Sequence, residues 1–393
     1  MYSTMKIGII TLWGSNNNYG QVLQAYALQK FLRNYGFDVK HINYTLKHRT
    51  LLLDEIMTLI KSPKWFVKKY ILKLFVYLPE KLKGERFEKI KDRNFDGFRK
   101  KYLIQFDNNY STIEELQEDV FDVDALITGS DQVWGLNIDK NSSAYYLNFG
   151  GNNIKKISYA ASFGNKYKSS MYIRMARDYI KDFDLVTVRE KSGIEICKKM
   201  GYMEAKLVLD PTLLLSASDY YDLFRSNKLD SWNDKKKLFC YFLNFSKKKD
   251  IAWDAIQFYM KKESYSERIV ISSGGLKPAF DRLGYNHYYF PDPINWMYSI
   301  SSCDKVITNS FHGLVFSVIF HKTFLYIPLQ GQGEDLNERI YSFLDIIGLK
   351  DRIFNRDLPI SDQMNKEIQW TSVDSFLDKK RQDSMNILFK YLH

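Results

Sequence analysis

The stretch "KIGIITLWGSNNNYGQVLQAYALQKFLRNYGFDVKHINY" at residues 6–44 decides the fold. Its opening "KIGIITL" is a continuous apolar run, which is typical of a strand buried on both faces. Residues 21–35 predict a helix that stops at Gly36, and "DVKHINY" after it predicts a second strand. Two strands joined through a helix lie parallel, so this stretch predicts a parallel α/β sheet.

The same alternation of short apolar strands and helices continues along the chain and restarts after residue 215. The strands before that point begin near residues 124, 154, 185 and 205, and those after it begin near residues 235, 268, 303 and 323. We therefore predict an α/β protein of two Rossmann-like domains that face each other across a cleft. The predicted limits are 1–215 for the N-terminal domain, 216–371 for the C-terminal domain and 372–393 for a C-terminal helix that packs back on the N-terminal domain.

The composition is that of an ordinary globular protein, with 45% hydrophobic and 26% charged residues among 393. The three cysteines lie far apart and form no CxxC pair, so we expect neither a disulfide framework nor a structural metal. No apolar run is long enough to span a bilayer. These features predict a cytoplasmic protein that is soluble or peripheral to a membrane.

The net charge of +11 is concentrated in one segment, since residues 61–101 carry 14 Lys or Arg against 5 Asp or Glu. This segment belongs to an insertion at about 45–110 in the N-terminal domain, which we predict to be helical. Within it, "WFVKKYILKLFVYL" at 65–78 is either a helix packed on the domain or a segment that lies on an anionic membrane surface. The basic residues belong to no recognisable nucleic-acid-binding module, so we expect no nucleic acid partner.

The loop after the first strand contains three asparagines and a tyrosine just before a helix. Asn16, Asn17, Asn18 and Tyr19 suit sugar hydroxyls, and the start of a helix favours an anion. The loop has neither a GxGxxG pattern nor a P-loop lysine, so a dinucleotide or a P-loop nucleotide is not supported. A structural turn explains the loop equally well.

Two further strand ends carry polar side chains that suit a ligand. In "ITGSDQVWG", Asp131 and Trp134 form the carboxylate and aromatic pair often used for sugars, although a helix cap and a core residue would look the same. In "VTVRE", the planar guanidinium of Arg189 suits a carboxylate or a phosphate. Glu190 or an aspartate elsewhere could instead pair with that arginine for structural reasons.

A histidine opens an apolar helix in "VITNSFHGLVFS" at 306–317. This placement puts the imidazole of His312 at a helix N-terminus that faces the predicted cleft. Among the six histidines of the chain, only this one has such a context. The alternative is a buried histidine with a purely structural hydrogen bond.

Taken together, these motifs resemble the polysaccharide pyruvyltransferase family. The resemblance rests on "NNYGQVLQAYALQKFLRNYG", "ITGSDQVW", "SYAASFG", "TVREKSG", "LVLDPTLLL" and "ITNSFHGLVFSVIFHKTFL", in the family's order from residue 6 to about 325. It implies a fold similar to the two-domain GT-B glycosyltransferases. It also implies transfer of the enolpyruvyl-derived group of phosphoenolpyruvate onto two hydroxyls of a sugar, which forms a cyclic pyruvate ketal in exopolysaccharide or capsule synthesis. No metal or organic cofactor is implied.

The resemblance also implies roles for single residues. His312 would be the general acid that protonates the donor, because a group that titrates near neutral pH serves best. Arg189 would hold the anionic groups of phosphoenolpyruvate, with Arg339 as a second clamp. Asp131, argued mainly from its chemistry, would act as a base or bind acceptor hydroxyls.

One position departs from the family pattern. Some members have an arginine two residues before this histidine, where the present chain has Ser310. If that arginine grips the phosphate, Arg339 or Lys277 of the "SSGGLK" loop has to compensate. The predicted donor contacts are completed by Ser310 and Gly313, and the predicted acceptor contacts are Asn16, Asn17, Asn18, Tyr19 and Trp134.

Two alternatives stay open at this point. The first is a GT-B glycosyltransferase that uses a nucleotide sugar, because fold does not determine function. The second is a non-catalytic glycan-binding relative held at the membrane by its basic insertion. For an enzyme of this family we expect a sugar acceptor that is lipid-linked, with the protein at the inner face of the membrane.

Overall fold

The computed structural model describes residues 4–14, 18–46, 93–245, 247–271, 283 and 288–392. It contains two parallel sheets, as the sequence predicts. The seven strands of the first sheet are β1 (Lys6–Ile10), β2 (Asp38–Tyr44), β3 (Gln105–Tyr110), β4 (Ala125–Thr128), β5 (Lys155–Ala161), β6 (Leu185–Val188) and β7 (Lys206–Leu207). The four strands of the second sheet are β8 (Lys237–Phe242), β9 (Ser266–Ile271), β10 (Lys305–Thr308) and β11 (Thr323–Tyr326).

The helices of the described residues lie between these strands. Before β8 the described chain has α1 (Tyr19–Asn34), α2 (Phe95–Tyr102), α3 (Ile113–Glu118), α4 (Ser170–Ile180), α5 (Lys191–Lys199) and α6 (Ala217–Arg225). The C-terminal part has α7 (Trp253–Glu263), α8 (Pro293–Ser302), α9 (Phe311–Ile319), α10 (Glu338–Ile346), α11 (Ile360–Met364) and α12 (Trp370–Leu392). Short 3-10 turns occur at Asn141–Tyr146, Pro211–Leu213, Lys248–Ile251, Gly331–Asn337 and Lys350–Arg352.

The strand order places the ends of several strands next to one another. In the first sheet the order is β3-β2-β1-β4-β5-β6-β7, and in the second it is β11-β10-β8-β9. The chain reverses its direction of growth beside β1 and beside β8. In parallel sheets, ligands bind outside the carboxyl ends of the strands near such reversals.

The first turn of α1 joins the two domains. Tyr19 is fully buried, its ring stacks on Trp296 at 5.0 Å, and its hydroxyl donates to the carbonyl of Pro291 at 2.6 Å. Arg93 lies across the same boundary, where it donates to the carbonyl of Ile271 at 2.9 Å. One hydrophobic cluster therefore runs through both domains.

The C-terminal helix α12 packs against residues of the first sheet's domain. The backbone N–H of Leu209 donates to Ser384 Oγ at 3.1 Å, and Phe389 stacks on Phe31 at 5.8 Å. Lys155 Nζ donates to the carbonyl of Tyr391 at 2.9 Å. The helix thus packs against the chain just before Asp210. The exact domain limits remain predictions.

The structure differs from the prediction at two segments. Residues 105–110 form the edge strand β3, with Gln105 opposite His41, although we predicted a helical insertion over 45–110. An edge strand keeps exposed polar residues, so "QFDNNY" lacks the apolar run of a buried strand. The strand predicted near 205–215 is only two residues long, because Asp210 caps a 3-10 turn that begins at Pro211.

The membrane hypothesis for 65–78 falls on residues outside those that the structure describes. Within the described ranges, no helix combines the length and apolarity needed to cross a bilayer.

We predict that His41 makes the protein less stable in acid. It is fully buried on β2, and burial lowers its pKa to about 4. Its neutral form is therefore favoured in the folded state, and stability is lost as the pH falls from about 6.5 towards that value. Between pH 7.5 and pH 5, wild type should lose roughly 2 kcal/mol more free energy of unfolding than His41→Gln, measured by urea denaturation. Equal losses in the two proteins would contradict this.

Candidate active site

A buried carboxylate holds the strand ends of the first sheet together. Asp210 is 2% exposed, and its Oδ2 accepts hydrogen bonds from Arg189 Nη1 at 2.8 Å and from Ser130 Oγ at 3.0 Å. Its Oδ1 accepts from the N–H of Thr212 at 3.0 Å and from Thr212 Oγ1 at 2.7 Å. Burial alone would raise the pKa of Asp210, but His312, Arg189 and Thr212 lower it well below its ordinary value. The carboxylate is therefore charged at neutral pH.

His312 reaches this carboxylate from the other domain. It follows β10 and occupies the first turn of α9, where Ser310 caps the helix by accepting from the N–H of Gly313 at 3.3 Å. Its Nε2 lies 3.6 Å from Asp210 Oδ2, which is longer than a hydrogen bond. Among the described residues this nitrogen has no hydrogen-bond partner, so it is free to exchange a proton with a ligand.

The other side of the imidazole rests against the start of α1. A Cβ atom added at Gly20 would lie 2.0 Å from His312 Nδ1. Only glycine leaves room for the ring at that distance. His312 is thus held between the first turn of one domain and Asp210.

Two arginines lie against the ring of Phe311, the residue that directly precedes this histidine. The guanidinium carbon of Arg189 lies 4.6 Å from the centre of the Phe311 ring, and that of Arg339 lies 5.9 Å from it. In the part of the chain that the structure describes, Arg189 Nε and Nη2 and Arg339 Nε have no hydrogen-bond acceptor. Burial, and then the charge of Arg189, lower the pKa of Arg339. Buried donors of this kind fit an anion with more than one charged group.

Asp131 borders the same cluster in an unusual backbone conformation. Its φ is +77°, in the left-handed region, which costs a non-glycine residue about 1 kcal/mol or more. Its carbonyl accepts from the N–H of Ser162 at 2.9 Å, and its Oδ1 lies 3.8 Å from Arg189 Nη2. The residue pairs with Ala161 in a β-bridge, so it is not the helix cap that we considered as an alternative.

Two predicted acceptor contacts are wrong. Trp134 is fully buried, its Nε1 donates to the carbonyl of Tyr145 at 3.0 Å, and its ring stacks on Tyr146 at 5.2 Å. Tyr19 is buried between the domains, where its ring and its hydroxyl already have partners. An aromatic residue beside a polar loop looks the same in sequence whether it faces a ligand or the core.

The other predicted contacts have different placements. Asn18 caps α1 by accepting from the N–H of Gly20 at 3.0 Å. A Cβ at Gly313 would lie 2.5 Å from Thr308 Oγ1, so this glycine lets α9 pack on β10, and Ser310 and Gly313 shape the turn that presents His312. Direct contact of these two residues with a donor stays a prediction. Three predicted residues lie outside the described ranges: Asn16, Asn17 and Lys277.

Asp210 is the site residue that the sequence analysis did not single out. Its stretch "LVLDPT" has the same form as the other candidates, an apolar strand followed by a charged residue. It also supplies the partner for Arg189 that we had sought in Glu190 or in another aspartate.

A cavity of about 540 Å³ adjoins the cluster on the side of α12. Its lining includes Arg189, Asp210 and Phe311 together with Phe343, Ile346 and Ser384. Cavities of this size hold small molecules. Arg189, Asp210 and Phe311 therefore border this cavity, whereas His312, Asp131 and Arg339 do not line it.

A comparison of the sequence with models of known protein families finds a match. The family model described as polysaccharide pyruvyl transferase matches residues 18–330. No curated protein sequence matches the chain.

Several solved structures resemble this chain at low sequence identity. A UDP-GlcNAc 2-epimerase from Neisseria meningitidis bound to UDP-GlcNAc is 10% identical, with 98% of this chain and 100% of that chain covered and a TM-score of 0.44. The S. aureus MnaA–UDP structure is 13% identical, with 99% and 97% covered and a TM-score of 0.47. An alpha-glucosyltransferase in complex with UDP and a DNA 13-mer is 10% identical, with 99% and 96% covered and a TM-score of 0.49.

We predict that Asp210→Asn strongly destabilises the fold. The substitution keeps the shape of the side chain but removes the nearest counter-charge of the buried Arg189, and breaking a buried ion pair typically costs about 3–5 kcal/mol. Urea denaturation measures the loss. Asp345→Asn is the matched control, because Asp345 pairs with Lys191 and Lys350 at the surface, and it should change stability little. Similar losses for the two variants would contradict a central role for Asp210.

We also predict that Gly20→Ala disturbs the contact between the domains. The added methyl group overlaps His312, and overpacking of this kind costs roughly 1–3 kcal/mol. Gly14→Ala is the control, because its Cβ would meet Thr45 Cγ2 at an ordinary 3.4 Å. In a His312→Ala background the cost of Gly20→Ala should largely disappear, as measured by a double-mutant cycle of unfolding free energies. If Gly20→Ala cost as much free energy of unfolding in the His312→Ala background as in wild type, the added methyl group would not overlap His312.

Proposed function

The chain belongs to the polysaccharide pyruvyl transferase family, a family of transferases, and on that basis we propose its reaction. The enolpyruvyl-derived group of phosphoenolpyruvate is transferred at the cluster around His312. Two hydroxyls of a sugar accept it and form a cyclic pyruvate ketal. The reaction serves the synthesis of an exopolysaccharide or capsule, and as written it balances without a metal or an organic cofactor.

The observation that carries this proposal is the pair of guanidiniums beside His312. Phosphoenolpyruvate has a carboxylate and a phosphate, so it needs two cationic contacts close to a proton donor. Arg189 and Arg339 lie on the ring of Phe311, which directly precedes His312, and both have unpaired N–H groups within the described residues. Arg339 then takes the part that an arginine in place of Ser310 has in some relatives.

The proton transfers follow from the surroundings of His312. The imidazolium gives its proton to the methylene carbon of the donor, which creates an oxocarbenium at the adjacent carbon. Asp210, charged and 3.6 Å from Nε2, stabilises the imidazolium. A first hydroxyl adds to the oxocarbenium, phosphate leaves, and a second hydroxyl closes the ring. The two hydroxyls lose two protons in total. One makes up for the proton that the imidazolium gave to the new methyl group, and the other leaves with phosphate.

Asp131 is the proposed acceptor of the first hydroxyl proton. Its backbone carbonyl is bound to the N–H of Ser162, and its side chain lies beside Arg189. A strained backbone at this position is consistent with a side chain that has to point at a ligand. We therefore propose that the acceptor approaches from the N-terminal domain, to which Asp131 belongs.

We propose further that the acceptor is lipid-linked and that the protein is peripheral to the inner face of the membrane. The support is the charge of residues 61–101, with 14 Lys or Arg against 5 Asp or Glu. Each basic residue near an anionic surface contributes about 1 kcal/mol of attraction, which salt screens.

The reaction is tested by release of phosphate from phosphoenolpyruvate. We expect release only when a sugar hydroxyl is present as acceptor, and a methyl singlet of the ketal in the NMR spectrum of the product when the sugar offers two neighbouring free hydroxyls. His312→Gln should lower the rate on the order of 100-fold or more, since a general acid contributes that much. His321→Gln is the matched control, because His321 lies at the surface beside Asp374. Turnover of a nucleotide sugar instead, or full activity of His312→Gln, would contradict the proposal.

A further inference from the structure

Glu190 is a buried carboxylate that the reaction described above does not use. It directly follows Arg189 at the end of β6 and is 3% exposed. It occupies the cap position of α5, yet in the described structure its side chain makes no hydrogen bond to that helix. Its Oε1 instead accepts from the N–H of Phe163 at 2.8 Å. The cap position therefore does not explain why a carboxylate is buried here.

The second oxygen of this carboxylate is unsatisfied. Across the described ranges, Glu190 Oε2 has no donor in hydrogen-bond geometry although it is buried, and the Ser162 side chain is a polar neighbour that lowers the pKa of this carboxyl. A buried polar atom without a partner costs about 1–3 kcal/mol, so such atoms are rare in folded proteins unless a ligand or a proton completes them. The missing partner is a donor, and a hydroxyl group is one.

Its neighbours place Glu190 in the proposed active site. The charges of Arg189 and Arg339 both act on it, and both belong to the proposed donor clamp. The N–H groups of Ser162 and Phe163, which are consecutive, hold the carbonyl of Asp131 and the carboxylate of Glu190 respectively. The end of β5 therefore binds Asp131 on the side of β4 and Glu190 on the side of β6, so the two residues flank the same strand end.

The proposed reaction needs more than one proton acceptor. A ketal forms only when two hydroxyls each lose a proton, and Asp131 has been assigned to the first. We propose that Glu190 is the second proton acceptor, and that its Oε2 binds the hydroxyl that closes the ketal ring. In this step the O–H bond breaks, its oxygen bonds to the oxocarbenium carbon, and the proton passes to Oε2 and then to the departing phosphate. This inference rests on the proposed function.

The electrostatics agree with such a role. Burial raises the pKa of Glu190, and Arg189, the N–H of Phe163, the Ser162 side chain and Arg339 oppose that shift only in part. A carboxylate with a raised pKa holds a proton more firmly than an exposed glutamate does, which makes it the better acceptor.

The test uses the full chain with Glu190→Gln, which keeps an oxygen for the N–H of Phe163 but cannot take up a proton. The probes are a methyl hexoside with two neighbouring free hydroxyls and the same hexoside with one of them methylated. With the diol, the variant should form the ketal on the order of 100-fold more slowly. It should release in its place an open enolpyruvyl ether, which is an isomer of the ketal. NMR distinguishes the two products by a pair of vinyl protons against a methyl singlet.

The methylated hexoside distinguishes the proposed role of Glu190 from that of Asp131. It offers a single hydroxyl, so wild type and Glu190→Gln should release phosphate from it at the same rate. Glu195→Gln, an exposed glutamate of the same helix paired with Lys198, is the matched control and should behave as wild type. Glu190→Asp, which keeps the acid, should restore part of the ketal if Glu190→Gln folds poorly.

The possible results distinguish a failure of the inference about Glu190 from a failure of the proposed function. Ketal formation at the wild-type rate by Glu190→Gln would overturn the inference and leave the proposed function standing. Equal losses on the diol and on the methylated hexoside would also overturn it, since they would indicate a structural role. If wild type releases no phosphate from phosphoenolpyruvate with any sugar diol, the proposed function itself fails.

Discussion

The contact between Asp210 and Arg189 is the interaction on which the site depends. Taking two charges out of water is costly, and such a pair is tolerated only when every remaining lone pair is satisfied. Asp210 meets that condition, with four hydrogen bonds from Arg189, Ser130 and Thr212. The pair fixes the ends of β4, β6 and β7 relative to one another. It leaves two nitrogens of Arg189 unpaired in the described structure, and these are the groups that a ligand would complete.

The second constraint is the contact of the two domains at α1. His312 lies against Gly20 on one side and 3.6 Å from Asp210 on the other, so its position depends on both domains at once. Tyr19, one residue earlier, is inserted among the aromatic side chains of the C-terminal domain. Because well-packed interiors deform little, this contact holds the imidazole in place before any ligand arrives.

Much of the fold was predictable, because fully buried parallel strands appear in a sequence as apolar runs. β3 was not, since an edge strand keeps polar residues on its open side. Because ligands bind outside the carboxyl ends of parallel strands, the sequence predicted that Asp131, Arg189 and His312, which each follow a strand, lie near one another. It could not tell that Trp134 and Tyr19 face the core, because burial depends on contacts between distant segments. Asp210 was missed because its role comes from Arg189 and His312, which lie 21 and 102 positions away in the chain.

The first turn of α1 packs into the C-terminal domain, and this contact limits how two-domain proteins of this kind can exchange domains. Two-domain enzymes often exchange halves during evolution, and chimaeras are commonly joined at the linker between domains. Here a junction near residue 215 would separate Tyr19 from Trp296 and Gly20 from His312. The first turn of α1 therefore has to be inherited together with the C-terminal half. A functional chimaera would have to transplant that turn as well, and the unit of exchange is discontinuous in sequence.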